Sequence, residues 1–380
     1  MSNKLFTLFF FIAILFYSKK SYASHGAGLD ITYECINRGT TSDSYKIIVK
    51  FYRNCEFSPA PSYLNLNVSS SCNTFSSSIP QVSGPIFITS LCQSASAPCT
   101  NNNVVELEEY VYEAEITLDH CSDWVLTVCD LTGARNNSIS TILLPFVQEL
   151  CVVAEINNLN VCNNSPLFSE YPAPYLCVGQ AYCFNNGAVD VDGDSIIYSL
   201  TTPLTDGGVV SYLSGYSTNN PISGLTTFDA YTGDLCMTAN QNEVSVVAMK
   251  ITEYRNGVKI GSVMRDIQII VLACPSTPPI LTGYNGSPLN VTNSTALDDS
   301  LHFCVTGADA LSVNIEAPLG SSNNKIMSWS GIAGTNATFT VSNNNSSNPV
   351  GTLNWTPQYI DVSNSPYTFS VIIEDDACPI

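Results

Sequence analysis

The sequence predicts an all-β chain, a row of sandwiches cross-linked by disulfides. Three observations carry this. Short apolar runs of strand length recur between turns rich in Gly, Pro, Ser, Thr and Asn. Charged residues make up only 12% of the 380 residues, too few for amphipathic surface helices. Fifteen cysteines lie behind an export signal, where an oxidising compartment turns them into bridges.

The elements follow in chain order. Lys4 is a positive n-region, Leu5 to Tyr17 an apolar core short for a bilayer span, and Ser21-Tyr22-Ala23 a small-x-small cleavage site, so residues 1–23 read as a signal peptide. Lys19 and Lys20 close behind the core leave an uncleaved anchor as the alternative. Cleavage removes three lysines and no acid, leaving 10 basic against 32 acidic residues, a net charge near −22. Such a surface repels nucleic acid and anionic membranes and suits divalent cations. No later run is long enough for a membrane helix.

Residues 24–165 form a Cys-rich first unit, with strands expected at Leu29 to Ile36, Tyr45 to Arg53, Tyr63 to Val68, Tyr110 to Leu118 and Trp124 to Cys129. Ser69 to Asn103 lacks strand signals and reads as loops stapled by bridges. Eight cysteines precede residue 160, enough for four bridges of undetermined connectivity. A Pro-rich joint, Ser165 to Pro174, opens the second unit, residues 166–274, with strands at Tyr175 to Cys183, Ile196 to Leu200, Leu225 to Asp229, Glu243 to Tyr254 and Val258 to Leu272. Asn256-Gly257 between the last two is the dipeptide of a two-residue hairpin. A second joint, Pro275 to Pro279, opens a third unit, residues 275–380, with strands at His302 to Thr306, Thr338 to Val341, Thr352 to Trp355 and Tyr367 to Ile373. This last sandwich reads as incomplete, and the chain as the front of something longer.

The stretch with most chemistry is Asp190-Val191-Asp192-Gly193-Asp194, an acidic turn running into a strand. Three carboxylates at alternate positions around a glycine can converge on Ca²⁺, with Glu253 and Asp266 as completing acids. Thr201 stands where an EF-hand would need its twelfth-position Glu, so the nearer analogy is the Asp-rich turn of cadherin-like repeats. Without an ion, the same residues make a solvated Asx-turn. Glu253 and Asp266 also flank Arg255 and Arg265, which predicts exposed cross-strand ion pairs. Trp124, Trp355, Tyr198 and Phe228 read as core before sugar platform. Glu106, Glu108 and Glu109 read as a solvated edge before a glycosidase pair. His25, His120 and His302 accompany no catalytic motif, and cysteine spacings lack zinc knuckles.

Several stretches resemble one family. Asp190–Leu200, Gly215-Tyr216-Ser217, Phe228–Gly233, Ile251–Gly257 and Arg265-Asp266-Ile267 are similar to the N-terminal region of large exported surface proteins of Bacteroidota. Ser24-His25-Gly26, Ile31-Thr32-Tyr33 and Phe51–Cys55 resemble its start, and Gly351–Pro357 with Asp375–Pro379 its following repeat. Those proteins carry PKD-like or immunoglobulin-like repeats, often with a gliding-motility-associated C-terminal sorting domain that this sequence does not contain. The resemblance implies tandem immunoglobulin-like or cadherin-like sandwiches at, or shed from, the cell surface, with roles in adhesion or motility and no activity of their own.

The expectation is therefore a secreted or cell-surface structural or adhesive protein, not an enzyme, stiffened by calcium, whose partners are surface glycans or other surface proteins. A secreted carbohydrate-binding or carbohydrate-active protein is the alternative, and an inert truncated fragment a third.

Overall fold

The computed structural model describes residues 26–55, 59–88, 107–172, 175–274, 279–283, 310–319, 324–331, 335–362, 367 and 369–375. The signal peptide, His25, Glu106 and the strand expected at His302 to Thr306 lie outside them. The described chain is all-β. Its first strands are β1 (Gly26–Arg38), β2 (Ser42–Asn54), β3 (Tyr63–Ser69), β4 (Thr74–Phe87), β5 (Leu107–Asp119), β6 (Trp124–Ala134) and β7 (Glu149–Ile156). Alternation drives them: Tyr45, Ile47, Val49 and Phe51 of β2 are buried, as are Leu64, Leu66 and Val68 of β3, while Lys46, Ile48 and Lys50, and Asn65 and Asn67, lie on the more exposed face. The register places Ile31 of β1 and Tyr112 of β5 on either side of Val49, so inward residues stack across strands.

β4 corrects the expectation of loops after Ser69. Its sequence, Thr-Phe-Ser-Ser-Ser-Ile, carries little hydrophobicity because small hydroxyl residues fill the outer face; β3 and β5 pair it from both sides and supply what its composition lacks.

The middle strands are β8 (Leu167–Phe168), β9 (Tyr175–Cys177), β10 (Tyr182–Asn185), β11 (Ala188–Val189), β12 (Ser195–Thr201), β13 (Leu204–Thr205), β14 (Gly208–Val209), β15 (Gly224–Phe228), β16 (Asp234–Ala239), β17 (Glu243–Arg255) and β18 (Val258–Leu272). The run expected as one strand from Tyr175 to Cys183 is two, broken at Gly179 with φ 74°. The β17–β18 hairpin turns at Asn256 (φ 53°) and Gly257 (φ 77°), as the dipeptide predicts.

β18 is the centre of the molecule. One of its edges pairs along β17; the other pairs in succession with β7 at Gly261 and Ser262, with β1 at Arg265 to Ile267, and with β9 in parallel at Ile270 to Leu272. Burial is continuous from Ile260 to Val271. A strand covered on both faces has no polar side to show, which is why its sequence is apolar with only isolated polar residues. The order β18-β1-β2-β5-β4-β3-β6-β7 then returns to β18, a closed circuit that leaves those strands no free edge.

The Pro-rich joint expected to separate the first two units is therefore crossed by hydrogen bonding and by the core. One hydrophobic cluster joins Leu29, Ile47, Leu66, Trp124 and Val152 to Tyr198, Met249, Ile251 and Val263. A second cluster packs the small sheet β10-β16-β15 onto the far end of the hairpin, through Phe184, Leu235, Met237, Val247, Ile267 and Ile269.

Disulfides follow the same plan. Cys72–Cys121, Cys129–Cys151, Cys177–Cys274 and Cys183–Cys236 are closed, and Cys55 is bridged too. Cys35 joins Cys162, 127 residues away, so the eight cysteines before residue 160 do not close among themselves.

The remaining strands are β19 (Ile280–Gly283), β20 (Leu311–Leu319), β21 (Lys325–Gly331), β22 (Thr338–Ser342), β23 (Val350–Trp355) and β24 (Phe369–Asp375). They form a four-stranded sheet, β19-β20-β23-β22, and the pair β21-β24 around Ile315, Met327, Phe339 and Leu353.

Candidate functional site

The acidic turn between β11 and β12 is organised by its own first residue. Asp190 Oδ1 accepts the backbone N–H groups of Asp192 (3.0 Å) and Asp194 (2.8 Å), an Asx-type turn, and Gly193 takes φ 77° within it. Asp192 turns toward the segment after β7: it accepts the Asn164 backbone N–H at 2.9 Å and the Asn164 Nδ2 at 2.8 Å.

Arg255, the last residue of β17, reaches into the turn. Its Nε and Nη2 donate to the two oxygens of Asp194 at 2.7 and 2.6 Å, a bidentate fork, and Nη2 also donates to Asn163 Oδ1 at 2.8 Å and lies 3.4 Å from Asp192 Oδ2. The Asp194 contact raises the guanidinium further above its ordinary value.

Glu253 stands behind, two residues back on β17 and fully buried. Its Oε2 accepts from Tyr33 Oη at 3.1 Å and Asn163 Nδ2 at 2.8 Å. Residue 261 of β18, directly opposite, has to be glycine: a Cβ there would overlap both Tyr33 Oη and Glu253 Oε2. Glu253 Oε1 and Asp190 Oδ2 are buried and receive no hydrogen bond from another donor. Burial, then the charge of Asp190, pushes Glu253 up to about 9, and burial with the charges of Asp194 and Asp192 raises Asp190. Burial and the neighbouring acids thus both favour the protonated form of Glu253.

Four of the five expected ligands, Asp190, Asp192, Asp194 and Glu253, are therefore brought together. Asp266 is not among them. It lies five residues along β18 from Gly261, roughly 16 Å at strand spacing, and is fully buried against Arg135, whose Nη1 and Nη2 donate to its two oxygens at 2.9 and 2.6 Å. The exposed pairs expected among Glu253, Arg255, Arg265 and Asp266 do not form either. Arg265 is buried over the Phe168 ring, 4.0 Å from its centroid, and binds Asp30 through Nε and Nη2 at 3.0 and 2.7 Å.

These residues do not fit calcium as they are arranged. The ion takes about six to eight oxygens, whereas both oxygens of Asp194 are held by Arg255, those of Asp192 by Asn164 and Arg255, and Asp190 Oδ1 by two amides. Among the carboxylate oxygens of these four acids, two accept no hydrogen bond, one each on Asp190 and Glu253. Composition gave no sign of this, because Asn163, Asn164, Tyr33 and Arg255 come from three other parts of the chain.

The other sequence candidates serve the frame. Glu108 and Glu109, expected on a solvated edge, are buried: Glu108 meets Arg53 at 3.1 Å and accepts from Tyr110 Oη, and Glu109 lies 3.3 Å from Lys50. His120 Nε2 lies 3.1 Å from Asp43. Trp124 is core, its Nε1 donating to the Asp119 carbonyl; Tyr198 is core and Phe228 packs against it, while Trp355 packs edge-on to Tyr367. Among the described residues, the two cysteine–acid groupings with metal-ligand spacing are disulfides, Cys72–Cys121 beside Asp123 and Cys129–Cys151 beside Glu149.

No family model matches the chain, and no curated protein matches it.

Proposed function

We propose that this chain is an exported structural or adhesive protein of the cell surface, working as a rigid display body and not as an enzyme. The observation that carries the reading is the set of five disulfides closed between described residues, with separations from 22 to 127 residues, fastened on a closed strand circuit and the small sheet packed beside it. Bridges of this density form and persist outside the cytoplasm and restrict the unfolded chain, which suits a protein exposed to proteases and shear. The buried acids support it: Asp30, Glu108, Asp194 and Asp266 are each committed to an arginine and hold the frame together. Among the described residues no helix is long and apolar enough to cross a membrane.

Partners under this reading are surface glycans or other surface proteins. The test is protease shaving of intact cells that express the full gene, with mass spectrometry under non-reducing conditions, beside a comparison of adhesion between deletion and complemented strains. The expected result is release of bridged peptides, Cys35–Cys162 among them, and reduced adhesion on deletion. Reduced thiols in a cytoplasmic fraction would defeat the proposal. Hydrolysis of a polysaccharide that one carboxylate substitution abolishes would move the chain to the carbohydrate-active class.

A further inference from the structure

We infer that Arg255 is the resident cation of the acidic turn, placed where a sequence of this type would be expected to recruit a divalent ion. The turn brings three aspartates within five residues, and a fourth acid, Glu253, is buried behind them. An uncompensated cluster of this kind would be costly, and two routes relieve it: an external ion or an internal charge. The chain takes the internal route. The guanidinium forks onto both oxygens of Asp194, touches Asp192 and is held in plane by Asn163 Oδ1. Asn163 fixes the arrangement from the other side as well, since its Nδ2 donates to Glu253 Oε2. One asparagine therefore sets both the cation and the buried acid.

The position of Arg255 is fixed by the fold. It is the last residue of β17 before the Asn256-Gly257 turn, paired with Val258, and Ser195, the first residue of β12, pairs with Tyr254 beside it. The hairpin end and the acidic turn are thus adjacent in the same sheet, and the fork locks one to the other. An ion acquired from solution would make this junction depend on its concentration. An arginine, charged at every relevant pH, makes it constitutive.

The consequence is a protein indifferent to calcium that becomes responsive when Arg255 is removed, since the carboxylates of the turn then lose the cation that offsets them. This does not rest on the proposed function, because it concerns stability in any compartment. The experiment is thermal unfolding of the full mature chain and of Arg255→Met in EDTA and in about 5 mM calcium chloride, above the dissociation constants of about 10⁻⁴–10⁻³ M usual for extracellular calcium modules. Expected are a wild-type Tm that is the same in both buffers and an Arg255→Met Tm lower by about 4 °C or more in EDTA, partly restored by calcium. A wild-type Tm that falls in EDTA, or an Arg255→Met Tm that calcium does not raise, overturns the inference. Native mass spectrometry of the wild type with calcium gives a reading that does not need the variant to fold: no stoichiometric ion is expected, and one bound ion per chain would overturn it.

Discussion

Glu155 and Glu253 are the same residue type on the two sides of β18, paired opposite Ser262 and Gly261 respectively, yet their acidities diverge to about 2 and about 9. Tyr33 Oη reaches both neighbourhoods, donating to Glu253 Oε2 and lying 3.4 Å from the Glu155 carbonyl. Glu155 keeps 30% of its side chain in solvent; burial pushes it up, but the ammonium groups of Lys250 (2.6 Å) and Lys259 (2.7 Å), with Ser262 Oγ, outweigh that and hold it low. Glu253 has no exposed surface, its nearest charged neighbours on the turn are acids, and Arg255 is spent on Asp194. The difference shows that the fold settles a buried carboxylate either by an opposite charge or by a proton, and that which one applies depends on what the adjacent strand end can reach.

The largest effect is expected from closing the gap between the two sites. Gly261→Ala places a methyl group against Tyr33 Oη and Glu253 Oε2, with the Glu155 carbonyl at 3.1 Å, and should cost about 3 kcal/mol by overpacking at a point with backbone on one side; urea unfolding measures it, and a wild-type midpoint would show that the contact is slack. Next comes Glu253→Gln. The folded value of Glu253 lies above its unfolded value of about 4.5, so its contribution is whole below that pH and is lost as pH rises toward about 9. The slope is about 1.4 kcal/mol per pH unit, so between pH 6 and 8 the variant should gain about 2–3 kcal/mol relative to wild type. Parallel stability curves for the two proteins over that range would erase the distinction drawn between the glutamates.

The smallest effect belongs to Glu155. Its folded value lies below its unfolded one, so its contribution is present above about 4.5 and disappears as pH falls toward about 2. Lys250→Met should remove part of that acid limb and cost less than about 1 kcal/mol at neutral pH, because the pair is one-third exposed and screened. A loss of several kcal/mol would mean that Glu155 is as buried in effect as Glu253.

Much of the fold was legible residue by residue. Alternation marked β1, β2, β3 and β5, Asn256-Gly257 marked the hairpin, and the cysteine load marked the bridges, because each of these is a local signal. β4 was not legible, since its outward serines dilute the pattern until β3 and β5 pair with it. The acidic turn is legible in the spacing of Asp190, Asp192 and Asp194, and the fold places Glu253 behind it. Asp266 does not join the turn, because sequence distance along a hairpin does not show how far along β18 a side chain lies or that Arg135 meets it there.

By itself the sequence determined the class of structure, the oxidised cross-linking and the place of the acidic turn, since side-chain alternation, turn residues and cysteine number act over a few residues. Only the tertiary structure decided that β18 gathers β7, β1, β9 and β17 into one body, that Cys35 reaches Cys162, and that Arg255 forks onto the turn. The reason is that charge compensation and strand pairing are settled by which backbones come within hydrogen-bond reach, and that is fixed by closure of the whole sheet and not by any one stretch of it.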